Sequence, residues 1–147
     1  MASGTSTRPC FEASDFRLHL LSGAQYETRE ADVTIKRYET SAVYSKMTEA
    51  NGFIFTAGVI PTDLSRDVEG QTAEVLTEID RLLALAGSDK SKVVQATVWL
   101  NDIRNRDGMN KAWSAWLGGK DAPARACVEA KVIDPRMLVE ISVVAVK

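Results

Sequence analysis

Near the end of the chain, three side chains carry chemistry that an apolar stretch does not need. "PARACVEAKVIDPRMLVEISVVAVK" runs from Pro123 to Lys147, and as two strands it puts Arg125, Cys127 and Glu140 where a core prefers apolar residues. Alternation along the first strand places Arg125, Cys127 and Glu129 on one face. On the second, Glu140 and Ser142 are the polar members of an otherwise apolar run. A guanidinium can hold a carboxylate through two parallel, charge-assisted hydrogen bonds. A carboxylate such as Glu140, flanked in sequence by Val139 and Ile141, can position water and shuttle a proton. Each residue also has a plainer reading. Arg125 could be half of a surface ion pair, Glu140 a solvated edge position, and Cys127 a small buried hydrophobe.

Other chemistries find few residues to work with. One histidine, His19, and two distant cysteines, Cys10 and Cys127, cannot complete a four-ligand zinc site in one chain. A Ser-His-Asp triad would have to use His19, in the third of the chain with the weakest structural signals. The glycines form no phosphate-cradling loop. A net charge of −2 and a pI near 5.5 leave no electrostatic footprint for nucleic acid or an anionic membrane. Isolated clusters such as "KSK" (90–92) read as solvated faces. No apolar run approaches the roughly 20 residues of a membrane helix. Two cysteines make no disulfide framework and suit a reducing compartment, so the expected location is the cytoplasm. The alternative is an organelle such as the mitochondrion, although Glu12, Asp15, Glu27 and Glu30 interrupt the transit-like arginines Arg8, Arg17 and Arg29.

The elements that must position these residues are legible from Asp32 onward. The 147 residues suit one domain. Residues 1–31 read as an N-terminal extension, disordered over "MASGTSTRP" (1–9), and 32–147 as a single domain. "VTIKRY" (33–38) alternates as a strand, and "SAVYSKM" (41–47) can pair with it across a short turn. "NGFIFTAG" (51–58) opens on an Asn-Gly hairpin signal and continues as a buried strand. In "EGQTAEVLTEIDRLLALAGSDKS", Thr72, Val75, Leu76, Ile79, Leu82, Leu83 and Ala86 mark one helical face, with Gly87 as a left-handed stop. "KVVQATVWL" (92–100) is a β-branched strand. "DGMNKAWSAWLGG" (107–119) is a second helix, with Met109, Ala112, Trp113 and Trp116 inward and Gly118 as its stop. Two strands near 125–133 and 138–146 follow, with a turn at "DPR". The order β-β-β-α-β-α-β-β predicts an α+β fold: a mixed sheet with two helices on one face, each helix linking neighbouring strands. The opposite face is left apolar and bare, and another copy of the chain is the simplest cover.

"PARACVEA" followed by "VEISVVAV" resembles the C-terminal signature of the YjgF/RidA family, reactive-intermediate (enamine/imine) deaminases also known as L-PSP endoribonucleases. The likeness extends from about Thr40 to Lys147 and takes in "NGFIFTAGVIP", "LALAGSDKSKVVQATVWLND" and "MNKAWSAW". It implies a bacillar chorismate mutase-like fold, three copies joined in a homotrimeric barrel, and sites at the interfaces. By position it implies that Arg125 grips a substrate carboxylate and that Glu140 holds or activates water. Tyr44, Asn110 and Cys127 would line the pocket, and the Gly58 backbone would approach the ligand. Ala57 stands where many members have serine, and Trp113 where tyrosine or phenylalanine is usual. The implied reaction is hydrolysis of a 2-imino acid, such as the tautomer of 2-aminoacrylate, to a 2-keto acid and ammonia, without metal or cofactor. The alternatives are an endoribonuclease acting on single-stranded RNA and a non-catalytic trimer that binds small carboxylates. A tight turn at "IDPR" would pair Ile133 with Arg136, so that Arg125 opposes Val144 and Glu140 opposes Glu129. Arg125 and Glu140 would then lie about 14 Å apart along the strands, at ~3.4 Å per residue. That offset predicts that each site draws Arg125 from one subunit and Glu140 from its neighbour.

Overall fold

Asn51 and Gly52 fix the corner between the second and third strands of the sheet. Both have positive φ, 50° and 77°, the geometry of a two-residue turn whose twist matches its flanking strands. They join β2 (Ser45–Ala50) to β3 (Phe53–Thr56), with Ala50 paired to Phe53. The computed structural model describes residues 33–147. The expectations for residues 1–31, including His19 and Cys10, lie outside the described residues. Ahead of this hairpin, β1 (Lys36–Thr40) pairs antiparallel with β2. Both strands start a few residues later than their sequence patterns suggest; for β2 the reason is the turn ahead of it, closed by the Ser41 backbone N–H on the Tyr44 carbonyl.

Helix α1 (Val68–Leu85) starts where Asp67 accepts a hydrogen bond from the Gly70 N–H at 2.9 Å. All seven residues of the predicted apolar stripe are buried. The helix ends as expected: Gly87 has φ 75°, and the Ser88 N–H bonds to the Leu83 carbonyl. Gln71, fully buried at the start of this helix, was not foreseen. Its amide donates to the Arg66 and Arg136 carbonyls and accepts from the Leu138 N–H, tying the 134–138 turn to α1. Helix α2 (Arg106–Leu117) buries Met109, Ala112 and Trp113, and Gly118 ends it at φ 65°.

The strands β4 (Val93–Leu100), β5 (Ala124–Glu129) and β6 (Val139–Val146) complete a six-stranded mixed sheet of order β1-β2-β3-β6-β4-β5. Both helices pack on one face, where Ile54, Ala96, Val98, Leu100, Ile141 and Val143 meet α1 and α2 in the core. Two expectations are corrected here. The last two strands are not a hairpin: β5 runs parallel to β4, and β6 runs antiparallel on the other side of β4. Nor does each helix link neighbours, for α2 joins adjacent β4 and β5, while β6 separates the strands on either side of α1. The turn lies where "DPR" puts it, with the Met137 N–H bonded to the Asp134 carbonyl. The connection, however, wraps the end of β4, through Ala130 N–H to the Leu100 carbonyl and Asn101 N–H to the Leu138 carbonyl. The physical reason lies in β6, whose Val139, Ile141, Val143 and Ala145 are all buried on the helix side and gain most from a central position.

On the face away from the helices, Phe53 and Phe55 stand beside Val146 and Val144. Phe53, Phe55 and Val128 remain 43–44% exposed in the single chain, so β3 is buried on one side only. This is the bare apolar face expected from the sequence.

Candidate functional site

Arg125 registers with Ala96 of β4, itself opposite Val143 of β6, so its side chain emerges among core residues on the helix side. There it meets α2. Its Nη2 donates to Asn110 Oδ1 at 2.7 Å, its Nη1 approaches Met109 Sδ at 3.6 Å, and its Cζ sits 4.9 Å from the centre of the Trp113 ring. Asn110 and Trp113 are three positions apart on one helix, which puts both on the side facing β5. Cys127, two residues along β5, is half-buried against the core. What Arg125 lacks is a carboxylate. Arg66, Arg81, Arg104 and Arg136 each pair with an aspartate or glutamate. Among the described residues Arg37, Arg106 and Arg125 have no such partner, and of these three only Arg125 is half-buried. The surface ion-pair reading of this arginine is therefore not what the fold displays.

A second group lies elsewhere. Tyr44, Ala57 and Gly58 line a cavity of about 670 Å³ whose apolar wall includes Ile60 and Leu82. Tyr44 is exposed in the turn before β2 rather than half-buried within a strand. Lys46, also on this cavity, lies 3.0 Å from Glu39 and 3.4 Å from Glu78. Hydrogen bonding to Glu39 raises its pKa, so it stays an ammonium rather than a nucleophilic amine. Glu39 is itself pulled down to about 2 by the Arg81 guanidinium and by Lys46. Glu74, lowered by hydrogen bonds from the Thr62 hydroxyl and N–H, is also a satisfied carboxylate rather than a free base. Neither Lys46 nor Met109 was foreseen as part of a site. Lys46 carried no signal beyond its charge, and Met109 had read simply as core.

Glu140 belongs to neither cluster in full. It registers with Trp99 and so projects from the bare face, while its sequence neighbours Val139 and Ile141 turn into the core and do not enclose it. It abuts Gly58: a Cβ built there would fall 1.8 Å from Glu140 Oε1. Gly58 thus makes a close approach, but to Glu140. Ser142 lies on the same face as Glu140, beside Thr97. Glu129, placed with Arg125 by alternation, instead caps a turn by accepting from the Ile103 N–H at 2.9 Å.

The structure therefore brings together Arg125, Asn110, Trp113 and Cys127, and separately Tyr44, Ala57 and Gly58, with Glu140 meeting the second group only at Gly58. Arg125 and Glu140 flank β4, aligned with Ala96 and Trp99 respectively, which sets their backbones about 14 Å apart, from ~4.8 Å per strand and ~3.4 Å per residue. Their side chains leave opposite faces of the sheet. Among the described residues, no group of three or more metal-ligating side chains converges. No described helix is long and apolar enough to cross a membrane.

This combination of fold and residues has relatives. A family model described as endoribonuclease L-PSP matches residues 34–147. The chain belongs to the YjgF/RutC family, the L-PSP family of that model. A RutC family protein of Haemophilus ducreyi is 40% identical over 111 residues, covering 76% of this chain and 95% of the relative. The RutC family protein YoaB of Escherichia coli is 39% identical over 113 residues, covering 77% and 98%. A YjgF-family crystal structure from Neisseria meningitidis superposes with a TM-score of 0.75 at 43% identity, covering 78% of this chain and 95% of that one. The match to the family model, residues 34–147, thus spans both residue groups.

Proposed function

We propose that the protein hydrolyses small 2-imino acids to 2-keto acids and ammonia, at sites completed between copies of the chain in a homotrimer. The observation that carries this reading is Arg125, a half-buried guanidinium that is stacked and hydrogen-bonded yet has no carboxylate partner. A substrate carboxylate would supply that partner through the planar fork. With the carboxylate held, the adjacent C=N carbon is fixed in place, and an iminium carbon is electrophilic enough to take water directly. Glu140 of a neighbouring copy would accept a proton as water adds, forming a carbinolamine. It would return that proton to the nitrogen and then take the hydroxyl proton as the C–N bond breaks, so that ammonia leaves, the 2-keto acid forms, and the carboxylate passes the last proton to ammonia as ammonium. The exposed Phe53, Phe55 and Val128 supply an apolar surface for the contact between copies.

The test couples an amino-acid oxidase, which generates the imine, to this protein and measures ammonia release with several amino acids. Acceleration by the native protein that is lost with Arg125→Ala supports the proposal. Saturable 2-keto acid binding without acceleration would leave a carboxylate-binding trimer in its place. Cleavage of single-stranded RNA that tracks Arg125 would favour the activity named in the family model.

A further inference from the structure

We infer that Trp113 is a positioning residue for Arg125: with Asn110 it holds the guanidinium in one orientation without needing to touch the ligand. The inference rests on reading Arg125 as the carboxylate grip, and it goes further by saying what makes that grip directional.

Two contacts act on the guanidinium in different ways. The Trp113 ring, 4.9 Å from Cζ, lies within cation–π range and restrains the tilt of the guanidinium plane. Asn110 Oδ1, 2.7 Å from Nη2, restrains rotation within that plane. A guanidinium only donates, so the Asn110 oxygen must face it and the amide NH₂ is turned outward. Arg125 has five N–H bonds. Two are engaged, one by Asn110 and one weakly by Met109, which leaves three without a partner among the described residues.

Trp113 is itself held. It is 5% exposed and packs against Trp116 with ring centres 5.3 Å apart and planes tilted by 56°, and the Trp116 indole N–H donates to Asp80 of α1 at 2.9 Å. The orientation of Arg125 is thereby referred through two indoles to the long helix, instead of resting on its own flexible side chain.

A core-filling role for Trp113 makes different predictions. The experiment compares native protein with Trp113→Phe, Trp113→Leu and Arg125→Ala, using pyruvate as the probe 2-oxo acid. Pyruvate affinity is read by calorimetry, and the Arg125 Nε–H signal by nitrogen-edited NMR. Removing the ring should weaken pyruvate about fivefold, with Phe in between. In the imine assay the loss should appear in KM rather than kcat. The Nε–H signal, shielded by the indole in the native protein, should move downfield in the Leu variant and partly recover in Phe.

Native-like affinity and an unmoved Nε–H signal in Trp113→Leu would overturn the inference, whatever happens to its melting temperature. If the Leu variant does not fold, the Phe variant carries the same comparison with a smaller shift, and an unmoved signal there overturns it equally. Native protein that binds pyruvate no better than Arg125→Ala would sink the carboxylate reading itself. The Nε–H shift alone then decides whether Trp113 orients Arg125.

Discussion

Gly58 offers the most direct test at the scale of a single residue. Its backbone lies outside the left-handed region, so alanine is allowed there conformationally, but the added methyl would land on the Glu140 carboxylate. The displaced atoms are the free end of a flexible side chain. Gly58→Ala should therefore melt within a few degrees of the native protein while losing imine hydrolysis on the order of 100-fold, the scale of an ångström-sized misplacement. Native-like turnover would show that the position of Glu140 does not matter. Arg125→Lys keeps the charge and discards both fork and stack. Losing such an oriented pair costs about 2–5 kcal/mol, so activity should nearly vanish while the fold survives. Near-native rates in the oxidase-coupled assay would make Arg125 a structural residue. The sequence marks Arg125 and Glu140 as polar residues in an apolar setting. It cannot show that Arg125 meets Asn110 and Trp113, because that contact depends on how α2 lies across β5.

Elements are joined here by charge as well as by packing. Glu39, with φ 47°, sits unpaired between the paired residues Tyr38 and Thr40, and its carboxylate reaches Arg81 of α1 at 2.7 and 2.9 Å. Its pKa is lowered in the folded protein to about 2 from 4.5. It therefore stabilises the fold above pH 4.5, and that contribution is lost as pH falls through about 2. Glu39→Gln should melt below the native protein at pH 7, with the gap closing between pH 4.5 and 2. A gap that stays constant across thermal melts in that range would mean the charge contributes nothing. The elements themselves were legible: hydrophobic period, the Asn-Gly turn and the helix-ending glycines mark every strand and helix in order. Strand neighbours were not. A turn at "DPR" looks the same whether the chain folds straight back or passes around the end of β4. Local turn chemistry says nothing about β6, whose buried Val139, Ile141, Val143 and Ala145 draw it to the centre of the sheet. The expected offset of about 14 Å along the strands is corrected to three residues, about 10 Å, and only the two strand spacings across β4 bring the backbone separation of Arg125 and Glu140 back to about 14 Å.

At the scale of the whole molecule, the proposed site needs more than one chain. Light scattering should find a trimer at micromolar concentration, and a stable monomer would remove the interfacial site. Mixing inactive Arg125→Ala and Glu140→Ala chains by co-refolding should restore activity, because about a quarter of the sites in random cyclic trimers recover both residues. Verified mixed trimers that stay silent would mean that the two residues do not combine across a boundary between chains. The bare sheet face was readable from an element order that puts both helices on one side of the sheet, but which residues sit opposite it in another copy is written in no single chain. The placement of Arg125 and Glu140 on opposite surfaces of one sheet also bears on kinetics. No bending of an isolated chain can bring them to one small molecule without turning the sheet inside out. On the proposed chemistry the lone chain is inert rather than merely slow, so below the association threshold the rate should rise faster than linearly with protein concentration. A progress curve begun by rapid dilution from a concentrated stock should then start fast and decay as the copies part.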